Sequence, residues 1–179
     1  LANADADSAR IRAVLSALGI PPDLPARRGL PLCRQARRLT PVGLGADGRD
    51  KLLSPAAARA WLKLRERASA DGVQLTLISA FRSIDFQAAL IRSKLERGMA
   101  LAEVLRINAP PGYSEHHSGR AVDIGTDKIP ALDEAFESTD AFRWLSQHAG
   151  RFGFRLSYPR GNAVGFAYEP WHWYYTGHR

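Results

Sequence analysis

The sequence predicts an α+β fold: a small, mostly antiparallel sheet flanked by helices and preceded by a helical and irregular N-terminal extension. Three observations predict it. Apolar residues recur at helical spacing in several segments. Short β-branched or aromatic runs alternate with those segments in the second half. Pro, Gly and Arg crowd residues 21–53. The 179 residues suit one domain, expected over 54–179, with residues 1–53 as the extension.

Ile11, Val14, Leu15 and Leu18 make one helical face, and Gly19, Pro21 and Pro22 end that helix. Residues 21–53 read as irregular chain that wraps the core or links to it. Ser54-Pro55 starts a second helix, with Ser54 as N-cap and Pro55 in the first turn. Ala57, Trp61, Leu64 and Ala68 form its apolar face, and Asp71-Gly72 stops it. Val73 to Ala80 alternates as a strand does. Ile84, Ala88, Ile91 and Leu95 mark the next helix, and a shorter one covers Ala100 to Arg106. Asn108 to Ser118 is a loop around Pro110-Pro111-Gly112, and Arg120 to Ile124 is a short buried strand. Phe142, Leu145 and Ala149 place a last helix before Gly150. Phe154 to Tyr158 and Phe166 to Tyr175 read as strands joined through the turn Pro159-Arg160-Gly161-Asn162.

Composition narrows the function. Hydrophobic residues make up 45% and charged residues 24%, enough apolar matter for a real core. No apolar run nears the ~20 residues of a membrane helix. The chain begins at Leu1 without a basic and then apolar leader, which leaves export open. A single cysteine, Cys33, excludes an internal disulfide and a cysteine zinc cage, and it reads as a partly buried structural thiol. The net charge is +7, with Arg27, Arg28, Arg34, Arg37 and Arg38 gathered early. No nucleic-acid motif accompanies that charge, so it reads as solvated surface first and as contact with an anionic envelope second.

Two segments hold nearly all the metal-competent side chains: Ser114-Glu115-His116-His117-Ser118-Gly119-Arg120-Ala121-Val122-Asp123 and Glu169-Pro170-Trp171-His172-Trp173. Catalytic zinc typically takes three protein ligands and keeps a fourth position open. His116, Asp123 and His172 supply two imidazoles and a carboxylate, from a loop end and two neighbouring strands. Small Gly119 and Ala121 let the backbone approach closely between them. Taken singly, a histidine near an aspartate is more often a core or surface pair than a ligand. Glu169 is the candidate base. It precedes His172 by three residues, so both reach one site only if the chain bends near Pro170. Glu115 is the rival base, pointing away from His116. Arg82, between the first strand and the helix after it, can project into a cleft and stabilise an oxyanion. His117 reads as an outer brace or a solvent-facing residue, and His148 and His178 as ordinary. Trp171, Trp173, Tyr174 and Tyr175 read as core or wall packing.

The pattern Ser114-x-His116-x-x-Gly119-x-Ala121-x-Asp123 followed by Glu169-x-x-His172 resembles the VanY-type D-alanyl-D-alanine carboxypeptidases. These are zinc peptidases related to D-Ala-D-Ala dipeptidases and LD-carboxypeptidases. The resemblance runs from about Leu75 to Gly177 and includes Ser79-Ala80-Phe81-Arg82-Ser83 with Gln87. It implies one Zn2+ per chain held by His116, Asp123 and His172, with Glu169 as general base. It implies that Arg82 binds substrate and stabilises charge, and that Gln87 and Ser114 contact substrate. The implied activity is removal of the terminal D-alanine of peptidoglycan stem peptides, at a periplasmic or extracellular site in the cell envelope. Rival readings are an endopeptidase cutting between L-Ala and D-Glu, and a non-catalytic zinc-containing module that binds the wall. Two departures stand out: Tyr174 where many relatives carry arginine, and His117-Ser118 where Gln-Thr is common. Neither removes a ligand.

Overall fold

The computed structural model describes residues 2–177, with side-chain surroundings from residue 7 onward. The first helix, α1 (Ala2–Ala17), and a short α2 (Leu24–Arg27) lead into a hairpin of β1 (Thr40–Leu44) and β2 (Asp50–Leu53). Next come α3 (Pro55–Ala70), β3 (Thr76–Ser79), α4 (Ile84–Glu96) and α5 (Leu101–Ile107). A 3₁₀ turn over Glu115–Ser118 opens onto β4 (Ala121–Gly125). The chain closes with α6 (Asp140–His148), β5 (Phe154–Leu156) and β6 (His172–Tyr175).

The main sheet has the order β3-β4-β6-β5, and every pair is antiparallel. Alternation along these strands separates two faces. Leu77, Val122, Ile124, Trp173 and Phe154 turn to one side and join Trp61, Leu64, Ala68, Trp144 and Leu145 in the larger core. Trp61 and Leu64 are wholly buried, and Leu64 contributes about 1.5–3 kcal/mol by leaving water. The opposite face carries Asp123 and His172, which sit directly across from each other in the β4–β6 register. A register shift between Leu77 and Ser79 bends β3 beside Asp123.

A second core lies under α1, α4 and α5, where Ile11, Leu15 and Leu18 meet Ile84, Ile91 and Val104. Side-chain caps start two helices: Ser83 Oγ accepts from Phe86 N at 3.0 Å, and Thr139 Oγ1 accepts from Phe142 N at 3.1 Å.

Several expectations need correction. Residues 40–53 are not irregular but a hairpin, tied to β3 by Ala46 N to Leu77 O and to the chain after it by Phe81 N to Leu52 O. Their polar and Pro/Gly content hid the pairing, because most β1 side chains face outward and only Val42 is buried. Ser54 stands at the N-cap of α3, yet its hydroxyl makes no capping bond. The expected last strand is short, because residues 166–171 run without strand pairing and only His172–Tyr175 joins the sheet.

Gly119 serves a different approach from the one its place in the motif suggested. It ends the 3₁₀ turn at φ +65°, and a Cβ there would stand 2.8 Å from Ser54 N and 3.1 Å from Leu39 Cδ2. The same backbone contact carries a 2.8 Å hydrogen bond from Ser54 N to Gly119 O. The close contact is therefore with the entry to α3, not between the candidate ligands. Gly119→Ala is expected to lose about 2 kcal/mol or more from backbone strain alone, which lowers Tm by about 4–8 °C. A thermal melt with Tm shifted by less than about 1 °C would contradict this packing.

Candidate metal centre

The sheet face opposite the larger core meets α4 across a cleft of 560 Å³. His116, Asp123 and His172 are all at most 3% exposed at its floor. One ligand atom from each lies within 4.8 Å of the others, a spacing that a single metal ion can span. Sequence order sets His116 and His172 56 positions apart, and the β4–β6 register with the 3₁₀ turn reunites them.

A hydrogen bond fixes the free atom of the His116 imidazole. His116 Nδ1 lies 2.6 Å from the carbonyl oxygen of Ala80, which can only accept, so the proton sits on Nδ1. Its Nε2 is fully buried and makes no hydrogen bond, although Asp123 Oδ2 is 3.2 Å away. Burial, reinforced by the charge of Arg82, pushes His116 down to about 4, so the ring is neutral and its lone pair faces the cluster. An orphaned, buried, neutral imidazole nitrogen beside a carboxylate is what a metal ligand requires.

His172 lies between two carboxylates. Nδ1 is 2.9 Å from Asp123 Oδ1, and Nε2 is 2.9 Å from Glu115 Oε2. Burial opposes a charge on this ring, but hydrogen bonds to both acids outweigh it and push His172 up to about 10. Burial alone would also raise Asp123, yet His116 and His172 hold it well below the usual carboxylate range. Tyr158 stacks on the His172 ring at 4.7 Å between centroids.

Glu169 reaches the same place through a turn. His172 N donates to Glu169 O at 3.1 Å, so Pro170 and Trp171 reverse the chain just before β6. This is the bend that the three-residue spacing demanded. The Glu169 carboxylate is 3.8 Å from His172 Nδ1 and accepts no hydrogen bond from the described residues. Burial pushes it up to about 7, with Asp123 adding to the rise and His172 opposing it. Glu115 differs in kind. It accepts from Ser157 Oγ at 2.6 Å as well as from His172, and Arg155 is 3.4 Å away. Its oxygens are engaged, and it braces the ring of His172 from the far side.

Arg82 spans the cluster edge. Nη2 donates to Asp123 Oδ2 at 2.9 Å, Nε to Ser79 Oγ at 3.2 Å, and Nη1 to Gln87 Oε1 at 3.2 Å. Gln87, 1% exposed, also donates from Nε2 to Ala109 O at 2.9 Å. Both of its polar atoms thus hold Arg82 and the loop in place. Ser114 is 4% exposed, lines the cleft and makes no capping bond. His117 is wholly buried, accepting from Gly112 N through Nε2 and lying 2.7 Å from Arg82 O through Nδ1. It braces the loop and does not face solvent. His148 packs against Trp144 with the rings tilted by 37° and their centroids 4.8 Å apart, and His178 lies outside the described residues.

Sequence reasoning missed the grip of Glu115 on His172 and the stacking of Tyr158. The Glu115 contact crosses 57 positions, and no local pattern signals it. Cys33 is half-buried, and burial pushes its thiol up to about 12, which suits an inert structural residue.

Comparison with known proteins matches the chain to one family. The profile of the VanY family, described as D-alanyl-D-alanine carboxypeptidase, covers residues 50–178. A D-alanyl-D-alanine carboxypeptidase of Enterococcus faecalis is 34% identical over 124 residues, which are 64% of this chain and 44% of the relative. The LdcB LD-carboxypeptidase structure aligns with TM-score 0.71 and 28% identity, covering 80% of this chain and 70% of that one. A vancomycin-resistance D,D-pentapeptidase VanY in complex with Zn(II) aligns with TM-score 0.63 and 27% identity, covering 84% and 89%. The chain spans under half the length of several curated relatives it matches. Among the described residues no helix is long and apolar enough to cross a membrane.

Two outcomes are expected in metal titrations. Zn2+ should raise the Tm of metal-free protein, and His116→Ala should lose both that rise and the bound metal counted by mass spectrometry. A variant that keeps one ion per chain would remove His116 from the ligand set. Glu115→Ala should fold and bind Zn2+ about 10–100-fold more weakly. Unchanged affinity by competition with a chelating dye would show that Glu115 does not brace His172.

Proposed function

The chain belongs to the VanY family of D-alanyl-D-alanine carboxypeptidases, and from that premise we propose that it is a zinc-dependent peptidase that removes the terminal D-alanine of peptidoglycan stem peptides. One observation carries this reading: the unbonded Glu169 carboxylate, raised to about 7, shares a cleft floor with the His116, Asp123 and His172 cluster, with Arg82 at its edge. A non-catalytic module has no need of a buried carboxylate left without a hydrogen-bond donor beside the candidate metal ligands.

His116, Asp123 and His172 would hold the ion. When bound, Zn2+ supplies Lewis acidity that polarises the scissile carbonyl and lowers the pKa of water to about 7. Glu169 accepts the proton of the attacking water as its oxygen bonds to the carbonyl carbon. Negative charge then develops on the carbonyl oxygen, and the Arg82 guanidinium stabilises it. Glu169 returns the proton to the departing nitrogen as the C–N bond breaks, which frees D-alanine and restores the carboxylate. Gln87, with Ser79, keeps Arg82 at the angle this requires. Ser114 offers its hydroxyl to the substrate from the cleft wall.

Substrates of this kind support a location at the cell envelope, periplasmic or extracellular. Its basic surface suits an anionic wall and does not call for nucleic acid. Both D,D- and LD-enzymes are among the similar structures, so pentapeptide and tetrapeptide ends are both candidate substrates.

Mass spectrometry of stem peptides incubated with zinc-loaded protein tests the reading. Chelator-sensitive loss of one D-alanine is expected from free-ended pentapeptide or tetrapeptide and not from C-terminally amidated pentapeptide. Cleavage of the amidated peptide at an internal bond would instead identify an endopeptidase, and no cleavage by zinc-bound protein would identify a binding module. Glu169→Gln should keep its zinc and lose about 10²–10⁴-fold in kcat. Normal turnover in that variant would remove Glu169 from the chemistry.

A further inference from the structure

The cleft contains a cation that the proposed reaction leaves unused. Lys94 follows Gln87 by seven residues on α4, so Gln87, Leu90 and Lys94 share one face of the helix. All three line the cleft that holds the metal cluster. Lys94 is half-buried, and its Nζ donates to Asn108 Oδ1 at 3.3 Å. Asn108 is itself 7% exposed and fixed, because its Nδ2 donates to Val104 O at 2.9 Å. The ammonium is thus held in one place by a buried amide.

What the ammonium lacks is a counter-ion. Among the described residues no carboxylate lies within ion-pair distance of it, and the amide oxygen satisfies one of its three donors. An ammonium taken partly out of water without an anion costs free energy, and burial does lower the pKa of Lys94. Leu90, Ile107 and Leu132 line the same cleft and give it an apolar wall. Lys94 also senses the charges of Arg82 and Glu169, which flank the cluster. The ammonium therefore faces the region where a bound peptide would pass.

We propose that Lys94, fixed by Asn108, is an anion subsite that binds a carboxylate of the peptide substrate. The inference rests on the carboxypeptidase reading and deepens it. It gives the cleft a positive anchor distinct from Arg82, whose fork is engaged with Asp123, Ser79 and Gln87. The carboxylate is either the terminal one of the D-amino acid or one on a side chain further up the peptide.

Binding measurements separate these sources. Zinc-loaded Glu169→Gln protein holds peptide without turnover, and calorimetry gives Kd with and without Lys94→Met. Three peptides are compared: a free acid with an upstream side-chain carboxylate, its C-terminal amide, and the free acid with a neutral upstream side chain. Lys94→Met should weaken the first peptide about tenfold or more, and Lys94→Arg should recover most of that loss. The loss should vanish for the amide if the terminal carboxylate is recognised, or for the neutral peptide if the upstream one is. Equal weakening of all three, or a change below about twofold on the first, overturns the subsite. D-Alanine release by the wild type from the first peptide is measured in parallel. No release overturns the functional reading and the subsite together, whereas release with an unchanged Lys94→Met affinity overturns the subsite alone.

Discussion

The site depends on a carboxylate removed from water. Asp123 is 2% exposed on a strand that is buried along its whole length. An isolated ion there would be prohibitively unfavourable. Two groups from other parts of the chain compensate it through hydrogen bonds, Arg82 and His172, while the unbonded Nε2 of His116 stands 3.2 Å away. Each of those groups is in turn held by something else. Ala80 O fixes His116, Glu115 fixes His172, and Ser79 with Gln87 fixes Arg82. A metal ion would take the place of a proton on the His172 ring, with two imidazoles and a carboxylate as its donors.

The fold supplies the rigidity this demands. Val122 and Ile124 anchor β4 in the larger core while Asp123, between them, faces the cleft. Opposite it on β6, His172 shares the face because Trp173 faces the core. The helix α4 divides its surface in the same way. Ile84, Ala88 and Ile91 pack under α1, and Gln87, Leu90 and Lys94 line the cleft. Residues before α3 reach the site as well, through Ala36 N to His117 O and Ser54 N to Gly119 O, each at 2.8 Å. The glycine that permits the second contact is the one inside the metal motif.

The candidate ligands were legible in the sequence because their chemistry is rare and their local spacing tight. His116 and Asp123 span a turn and a strand, and Glu169 with His172 span one turn, so short patterns record them. The helices were legible because their faces repeat every three or four residues. Contacts set by tertiary packing were not. Glu115 meets His172 across the sheet, and Lys94 gains its meaning only once α4 lies beside the cleft. The β1–β2 hairpin escaped because one buried residue in β1 leaves almost no alternation to read. The segment 166–171 looked like a strand from its aromatic content, but Pro170 and the turn at Glu169 take it out of the sheet.

The central claim is that His116, Asp123 and His172 hold one zinc ion and leave Glu169 free as a base. Anomalous diffraction at the zinc edge from crystals of the zinc-loaded protein tests it most directly. The account predicts a single strong peak bonded to His116 Nε2, an Asp123 oxygen and His172 Nδ1, with the Glu169 carboxylate outside the coordination sphere. A peak ligated by Glu169 or Glu115 in place of one of these three, or no peak on the cleft floor, would contradict it.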